Sequence, residues 1–267
     1  MKDFVKFLGT AGARFVVMKQ LRASGGVWID FQGVTVHLDP GPGALVRALS
    51  SRPPLDPATL SGVLLSHRHL DHANDVNIIV EAMTQGATKV RGHLFLPRDA
   101  LEEEPIVLQY LREHLEGIHI LEEGGEYTLG PLRFATPLRH IHGVETYGFK
   151  FFFPQGVISF VTDTQFTEKL FSAYEGSDVL VVHTLRLEKS DSPDLLHLSV
   201  PEVEVLLVHL RPRLAILTHF GMTILRAKPW EVANRLTEKC GFPVIAAYDG
   251  LVLDLATFSV QKRESPR

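Results

Sequence analysis

The chain has 267 residues, 45% of them hydrophobic and 22% charged, which is enough to bury a large core and argues against global disorder. A net charge of −4 offers no strong basic field of the kind that advertises nucleic-acid binding. The single cysteine, Cys240, excludes an internal disulfide; no stretch approaches the roughly 20 apolar residues of a membrane span, and the N-terminus lacks a secretory apolar region, so a cytoplasmic protein is expected.

In chain order, Phe4 to Leu8 reads as a strand meeting the turn Gly9-Thr10-Ala11-Gly12. Val27 to Phe31 and Val34 to Leu38 flank Gln32-Gly33 and predict a hairpin. It ends at Asp39-Pro40-Gly41-Pro42-Gly43, because prolines and glycines cannot continue a ladder. A short helix follows over Ala44 to Leu49 and a buried strand over Gly62 to Ser66. Asp75 to Thr84 carries Val76, Ile79, Val80 and Met83 at helical spacing.

Further along, Leu94 to Leu96, Ile118 to Leu121, Leu132 to Thr136, Tyr147 to Phe153 and Val157 to Thr162 read as strands, with a helix over Ile106 to Leu115. The last third offers strands at Val179 to Val182, Leu214 to Thr218, Val244 to Ala246 and Leu251 to Leu255, and helices over Val200 to Leu210 and Trp230 to Cys240. Hairpin strands followed by alternating strands and helices suggest an α/β sandwich, sheets inside and helices outside. One domain over residues 1–260 is expected, with a short polar, frayed tail at 261–267.

The chemistry concentrates where the strand ending at Ser66 runs out. His67, His69, Asp71 and His72 fall within six residues. In an extended segment His67 and His69 share one face, while Asp71 and His72 lie where the chain turns into a helix and can reach the same cavity from another side. Neutral imidazoles with a carboxylate suit zinc, and also manganese or iron. A solvated histidine-rich loop is the bland alternative, but this composition directly after a buried strand favours metal binding.

His67-x-His69-x-Asp71-His72 resembles the HxHxDH motif of the metallo-β-lactamase superfamily, and the later positions of that pattern have candidates. His142 precedes Gly143 to Lys150, similar to the histidine and glycine-aromatic strand of the ribonuclease Z and phosphodiesterase-like branch; His140 competes, but the spacing to Gly148 favours His142. Asp163 and His219 each follow an apolar strand. The resemblance implies an αβ/βα four-layer sandwich, two mixed β-sheets inside and helices outside. It implies that His67, His69 and His142 hold one divalent ion, that Asp71, His72 and His219 hold a second, and that Asp163 bridges them. Two cations about 3.5–4 Å apart would make hydroxide available at neutral pH as the nucleophile.

The superfamily hosts several reactions, so the site must discriminate. His69 stands where oxygen-reducing members carry glutamate, and Cys240 lies far from every motif and reads as structural. His197, two residues before the helix cap expected at Ser199, is similar to a histidine that helps the leaving oxygen in phosphodiesterase-like members. Asp71 and His197 are therefore the candidate catalytic residues. His183 could make a hydrogen bond to a ligand or be a core histidine; His37 reads as structural; His93, His114, His119 and His209 have no ligand-like context. Arg139, Lys150 and Arg226 read as solvated, and Asp249 as a turn residue. Positions 143–162 and 164–218 are too short for the long arm or inserted domain of the RNA-processing members. The expected activity is hydrolysis of a phosphodiester in a small or medium anionic substrate, with large RNA disfavoured, no membrane partner and a possible homo-oligomer. A thioesterase or lactonase on the same metals is the alternative, and a non-catalytic metal- or nucleic-acid-binding protein is the alternative of another class.

Overall fold

The computed structural model describes residues 3–102, 104–190, 192 and 195–261. The expected frayed tail falls, from residue 262 onward, outside the described residues. Among the described residues there are fifteen strands: β1 Phe4–Phe7, β2 Val27–Phe31, β3 Val34–Leu38, β4 Gly62–Leu64, β5 His93–Leu96, β6 Gly117–Ile120, β7 Gly125–Leu129, β8 Leu132–Thr136, β9 Phe149–Phe153, β10 Gly156–Val161, β11 Val179–His183, β12 Leu214–Thr218, β13 Val244–Ala246, β14 Val252–Asp254 and β15 Ser259–Val260. The α-helices are α1 Ala13–Met18, α2 Ala44–Leu49, α3 Leu70–Ala73, α4 Val76–Met83, α5 Gln109–Arg112, α6 Lys169–Tyr174, α7 Val200–Leu210, α8 Met222–Arg226 and α9 Pro229–Cys240.

The strands form two mixed sheets, ordered β15-β14-β1-β2-β3-β4-β5-β6 and β13-β12-β11-β10-β9-β8-β7. In each sheet one half is antiparallel and the other parallel: β3 to β6 run parallel in the first, β10 to β13 in the second. Strict alternation along the strands builds the layers. Val5, Phe7, Ile29, Leu64 and Phe95 meet Phe149, Phe151, Phe160, Val181 and Ile216 between the sheets. The residues between them point outward: Phe4, Trp28, Val63 and Leu94 pack on Ile79 and Met83 of α4, while Leu180, Val182 and Leu217 pack on Val203 and Leu207 of α7 and Leu236 of α9. Each such buried side chain contributes about 1.5–3 kcal/mol. This is the four-layer sandwich that the motif resemblance implies.

Gln32 and Gly33 both take positive φ, 49° and 84°, so the expected hairpin closes on a turn whose twist matches its strands. The helix expected over Ile106 to Leu115 shrinks to α5, four residues. Val107, Leu111 and Leu115 are buried, so the apolar spacing reflects packing by an irregular segment rather than a continuous helix. β7 carries alternating half-buried and exposed residues with no apolar run, and pairing with β8 makes it a strand.

Candidate metal centre

Every residue of the cluster sits at the C-terminal end of a strand or in the loop beyond one. That is where side chains and backbone are free of ladder constraints. β4 delivers His67 to His72, β10 delivers Asp163, β11 ends on His183, and β12 delivers His219. His142 enters from the loop before β9 and His197 from the loop before α7.

His67, His69 and His142 offer ligand atoms that all lie within 4.8 Å of one another. His142 Nε2 is 3.1 Å from His69 Nδ1, and the Leu196 carbonyl lies 3.1 Å from His142 Nδ1. His140 takes no part. Its Nε2 meets the Tyr174 hydroxyl at 2.7 Å and its Nδ1 the Thr162 hydroxyl at 3.1 Å, so both ring nitrogens are occupied in the core. That geometry separates the two histidines that the sequence left in competition.

The second group is His72, Asp163, His183 and His219. The Nε2 atoms of His72 and His219 are 3.0 Å apart, and Asp71 Oδ2 lies 3.6 Å from the first and 3.4 Å from the second. Asp163 sits between the groups, its Oδ2 3.3 Å from His72 Nε2 and 3.8 Å from His67 Nε2. All seven residues proposed as ligands therefore converge. His183 joins them, its Nδ1 3.0 Å from Asp163 Oδ1 and its ring stacked on His219 at 4.5 Å. His197 approaches the same carboxylate oxygen at 3.5 Å, with its ring 4.9 Å from that of His142.

Asp39 was read in the sequence only as the end of a hairpin, yet it orders both groups. Its carboxylate accepts from the Ser66 backbone N–H and hydroxyl, each at 2.6 Å, and from His72 Nδ1 at 3.0 Å. The Ser66 oxygen in turn faces His67 Nδ1 at 2.9 Å. With Asp39 as the terminal acceptor, a proton lies on Nδ1 of both histidines, so Nε2, which faces Asp163, is the nitrogen each can offer a cation. The sequence signal was an aspartate followed by Pro-Gly at a strand end, and that pattern is shared with ordinary turns.

Close backbone packing holds the site. A Cβ at Gly12 would collide with the His219 carbonyl, and one at Gly41 with the Asp71 carbonyl. His219 has φ 58°, a left-handed conformation costing about 1 kcal/mol or more for a side-chain-bearing residue. It is held by hydrogen bonds from Phe220 N–H to Thr10 O, from Gly12 N–H to Phe220 O and from Gly221 N–H to Leu185 O.

Burial pushes the His67 imidazole well below its ordinary value and His142 and His183 down to about 4; it also lowers His69. Neutral rings are the ligating form. In His72 burial is outweighed by Asp71, Asp163 and Asp39, which hold its pKa well above 6.5, so a cation binding Nε2 must displace a proton. Burial would raise the carboxyls of Asp71 and Asp163, but the surrounding histidines, His72 and His219 for the first and His219 and His197 for the second, hold both well below the usual range. The donor set passes a further test of fit to a cation. His67 Nε2 and His219 Nδ1 are buried, face Asp163 and have no hydrogen-bond partner, whereas buried polar atoms are normally paired.

The remaining histidines and charges divide. His37 is fully buried, its Nε2 2.7 Å from the Gly25 carbonyl. His209 stacks on Phe171. His93 and His119, read as having no ligand-like context, face each other at 3.1 Å. Lys150 donates to the Glu175 carbonyl, and Asp249 accepts from the Thr10 hydroxyl and the Ala23 N–H. Cys240 is buried and free at the end of α9.

Two mixed sheets meeting at a histidine- and carboxylate-lined edge, with helices outside, define a metallo-hydrolase of the metallo-β-lactamase fold. The chain belongs to the β-lactamase superfamily, whose domain matches residues 35–220, a span that contains every proposed ligand. It is 30% identical to the uncharacterised protein MJ1374 of Methanocaldococcus jannaschii, over 96% of each chain. Among solved structures it is similar to the metallo-β-lactamase-fold protein YhfI of Bacillus subtilis, with TM-score 0.78 and 18% identity over 94% of this chain and 99% of the other. It also resembles a diphosphatase of the PhnP family, with TM-score 0.71 and 20% identity over 95% and 98%. No helix among the described residues is long and apolar enough to cross a membrane.

Proposed function

We propose that this chain hydrolyses a phosphodiester bond in a small or medium anionic substrate, using two divalent cations, zinc or alternatively manganese or iron. His67, His69 and His142 would hold one, Asp71, His72 and His219 the other, and Asp163, which faces both groups, would be shared between them. When bound, the cations polarise the phosphoryl oxygen and lower the pKa of a water so that a nucleophile is available at neutral pH. Asp39, directly for His72 and through Ser66 for His67, keeps a proton on Nδ1 of each ring so that Nε2 is the nitrogen offered to a cation. Asp71, on the wall of the open cavity, orients the attacking water as a hydrogen-bond acceptor. As the water oxygen bonds to phosphorus and the ester P–O bond breaks, His197 delivers a proton to the leaving oxygen, which an alkoxide needs.

The observation that carries this reading is His197. Its side chain lines the large cavity beside His69, Asp71 and Asp163, and its Nδ1 is not tied to any hydrogen-bond partner. The strap that holds it is well anchored. Arg186 Nη2 donates to its carbonyl, and the Ser199 N–H donates to Glu202 at 2.9 Å, capping α7 two residues later. A histidine needed only for a local cap would not require a free nitrogen facing the cluster. The PhnP-family diphosphatase of the same fold also favours phosphoryl chemistry. Against long RNA, residues 143–162 are consumed by the His142 loop, β9 and β10, and no arm projects from them.

The metal-loaded protein should be assayed on bis-p-nitrophenyl phosphate beside panels of thioesters and lactones. Turnover of the phosphodiester is expected; turnover of thioesters or lactones alone assigns the same centre to acyl hydrolysis. No turnover on any panel, with metal bound, assigns it to a binding protein.

A further inference from the structure

The cavity that opens onto the cluster measures about 860 Å³, within the range of about 300–1,000 Å³ typical of small-molecule sites. One wall is the polar cluster already described. The facing wall comes from α1, which the sequence pattern did not predict, and from the start of α3 beside it. Arg14, Val17 and Met18, spaced i, i+3, i+4, lie on one face of α1 and line the cavity together with Leu70 of α3. Met18 is 76% exposed and Leu70 72% exposed. Two large apolar side chains are thus held open to water at the mouth of a catalytic cavity, where burial by a ligand stabilises most. Arg14 supplies the one guanidinium or ammonium group among the described lining residues.

We infer that α1 and Leu70 form the specificity wall of the site: Met18, Val17 and Leu70 bind a compact apolar or aromatic group on the non-leaving ester, and Arg14 binds a phosphoryl oxygen. The substrate class is a monoanionic phosphodiester carrying such a group. A nucleic-acid strand needs several cations along its backbone, and this wall offers one. The inference rests on the phosphodiester reading for its chemistry, but the wall can be tested apart from it.

The test compares bis-p-nitrophenyl phosphate with methyl p-nitrophenyl phosphate, which share a leaving group and differ only in the retained ester. In the Met18→Ser and Leu70→Ser variants the ratio of kcat/KM for the two substrates is expected to fall about tenfold, mainly through KM, because the retained aromatic ring loses its apolar contact. Both residues are exposed, so folding is not at risk. A ratio within about twofold of the wild type in both variants overturns the proposal. If neither ester is turned over, the phosphodiester reading falls separately, and the wall is decided by calorimetric binding of phenylphosphonate and methylphosphonate. A preference of about tenfold for phenylphosphonate that Met18→Ser removes supports it, and equal affinities overturn it. A wild-type dimer that Met18→Ser converts to monomer would assign the face to a second copy of the chain and also overturn it.

Discussion

Replacing Asp39 by Asn probes how the two ligand groups are ordered. The side chain keeps its shape, and Asn tolerates the positive φ of 54° at this position. The native carboxylate accepts from Ser66 N–H, from the Ser66 hydroxyl and from His72 Nδ1. The amide can accept from only some of these, and its NH2 then faces either the hydroxyl or the ring. Ser66 Oγ can rotate to accept, but His72 can accept at Nδ1 only by moving its proton to Nε2. That atom is 3.3 Å from Asp163 Oδ2 and 3.0 Å from His219 Nε2, so the tautomer change removes the lone pair that ligation uses. Loss of such an orienting partner weakens metal affinity about 10–100-fold, or about 1.4–2.8 kcal/mol. His67 is affected less, because it reaches Asp39 only through Ser66. Replacing a buried charged acceptor also lowers folding stability by about 1–3 kcal/mol. Zinc titration against a chromophoric chelator, with unfolding followed in chelator alone, reads both effects. Two affinities each within about threefold of wild type would refute this account of His72.

Three further outcomes are expected. Asp163→Ala should lower the metal content, measured by elemental analysis, from two ions per chain to one, because it removes the carboxylate that touches both groups; two retained ions would contradict a bridging role. His197→Ala should lower kcat by about 10²–10³-fold on a phosphodiester with an alkoxide leaving group, with metal content unchanged, and by much less on bis-p-nitrophenyl phosphate, whose p-nitrophenolate leaves without a proton; an equal loss on both would leave His197 a purely structural part. Burial depresses His37 to about 4 from 6.5, so between those values the unfolded chain binds a proton that the folded chain does not, and stability falls as pH drops. From pH 7 to pH 5 the wild type should lose about 2 kcal/mol more than His37→Gln, read as urea midpoints; equal losses would rule out His37 as the source.

Much of the site could be read along the chain. Ligand identity depends on side-chain chemistry, and side chains that bind at strand ends follow apolar runs that pattern recognition detects. His67 to His72 after β4, Asp163 after β10 and His219 after β12 all stand out in this way, and the order of strands and helices suggested a sandwich, though its two mixed sheets came only from the motif resemblance. His183 carried the same signal, an apolar strand ending in histidine, but a core histidine would look identical.

What only the tertiary structure decided depends on partners distant in sequence. Nothing local distinguishes Asp39 from a turn aspartate until Ser66 and His72, 27 and 33 residues away, bring their donors to it. His140 and His142 differ by two positions, and Tyr174 and Thr162 turn one of them into the core. Helix α1 has six residues, too short to form on its own, and shows no clean amphipathic period. It exists because the preceding loop is tied to the His219 turn through Phe220. The sequence by itself determined which residues could bind metal and in what order they arrive. The fold decided which nitrogen of each histidine is free, and set an apolar wall opposite them, because hydrogen-bond partners and cavity walls are properties of neighbours in space.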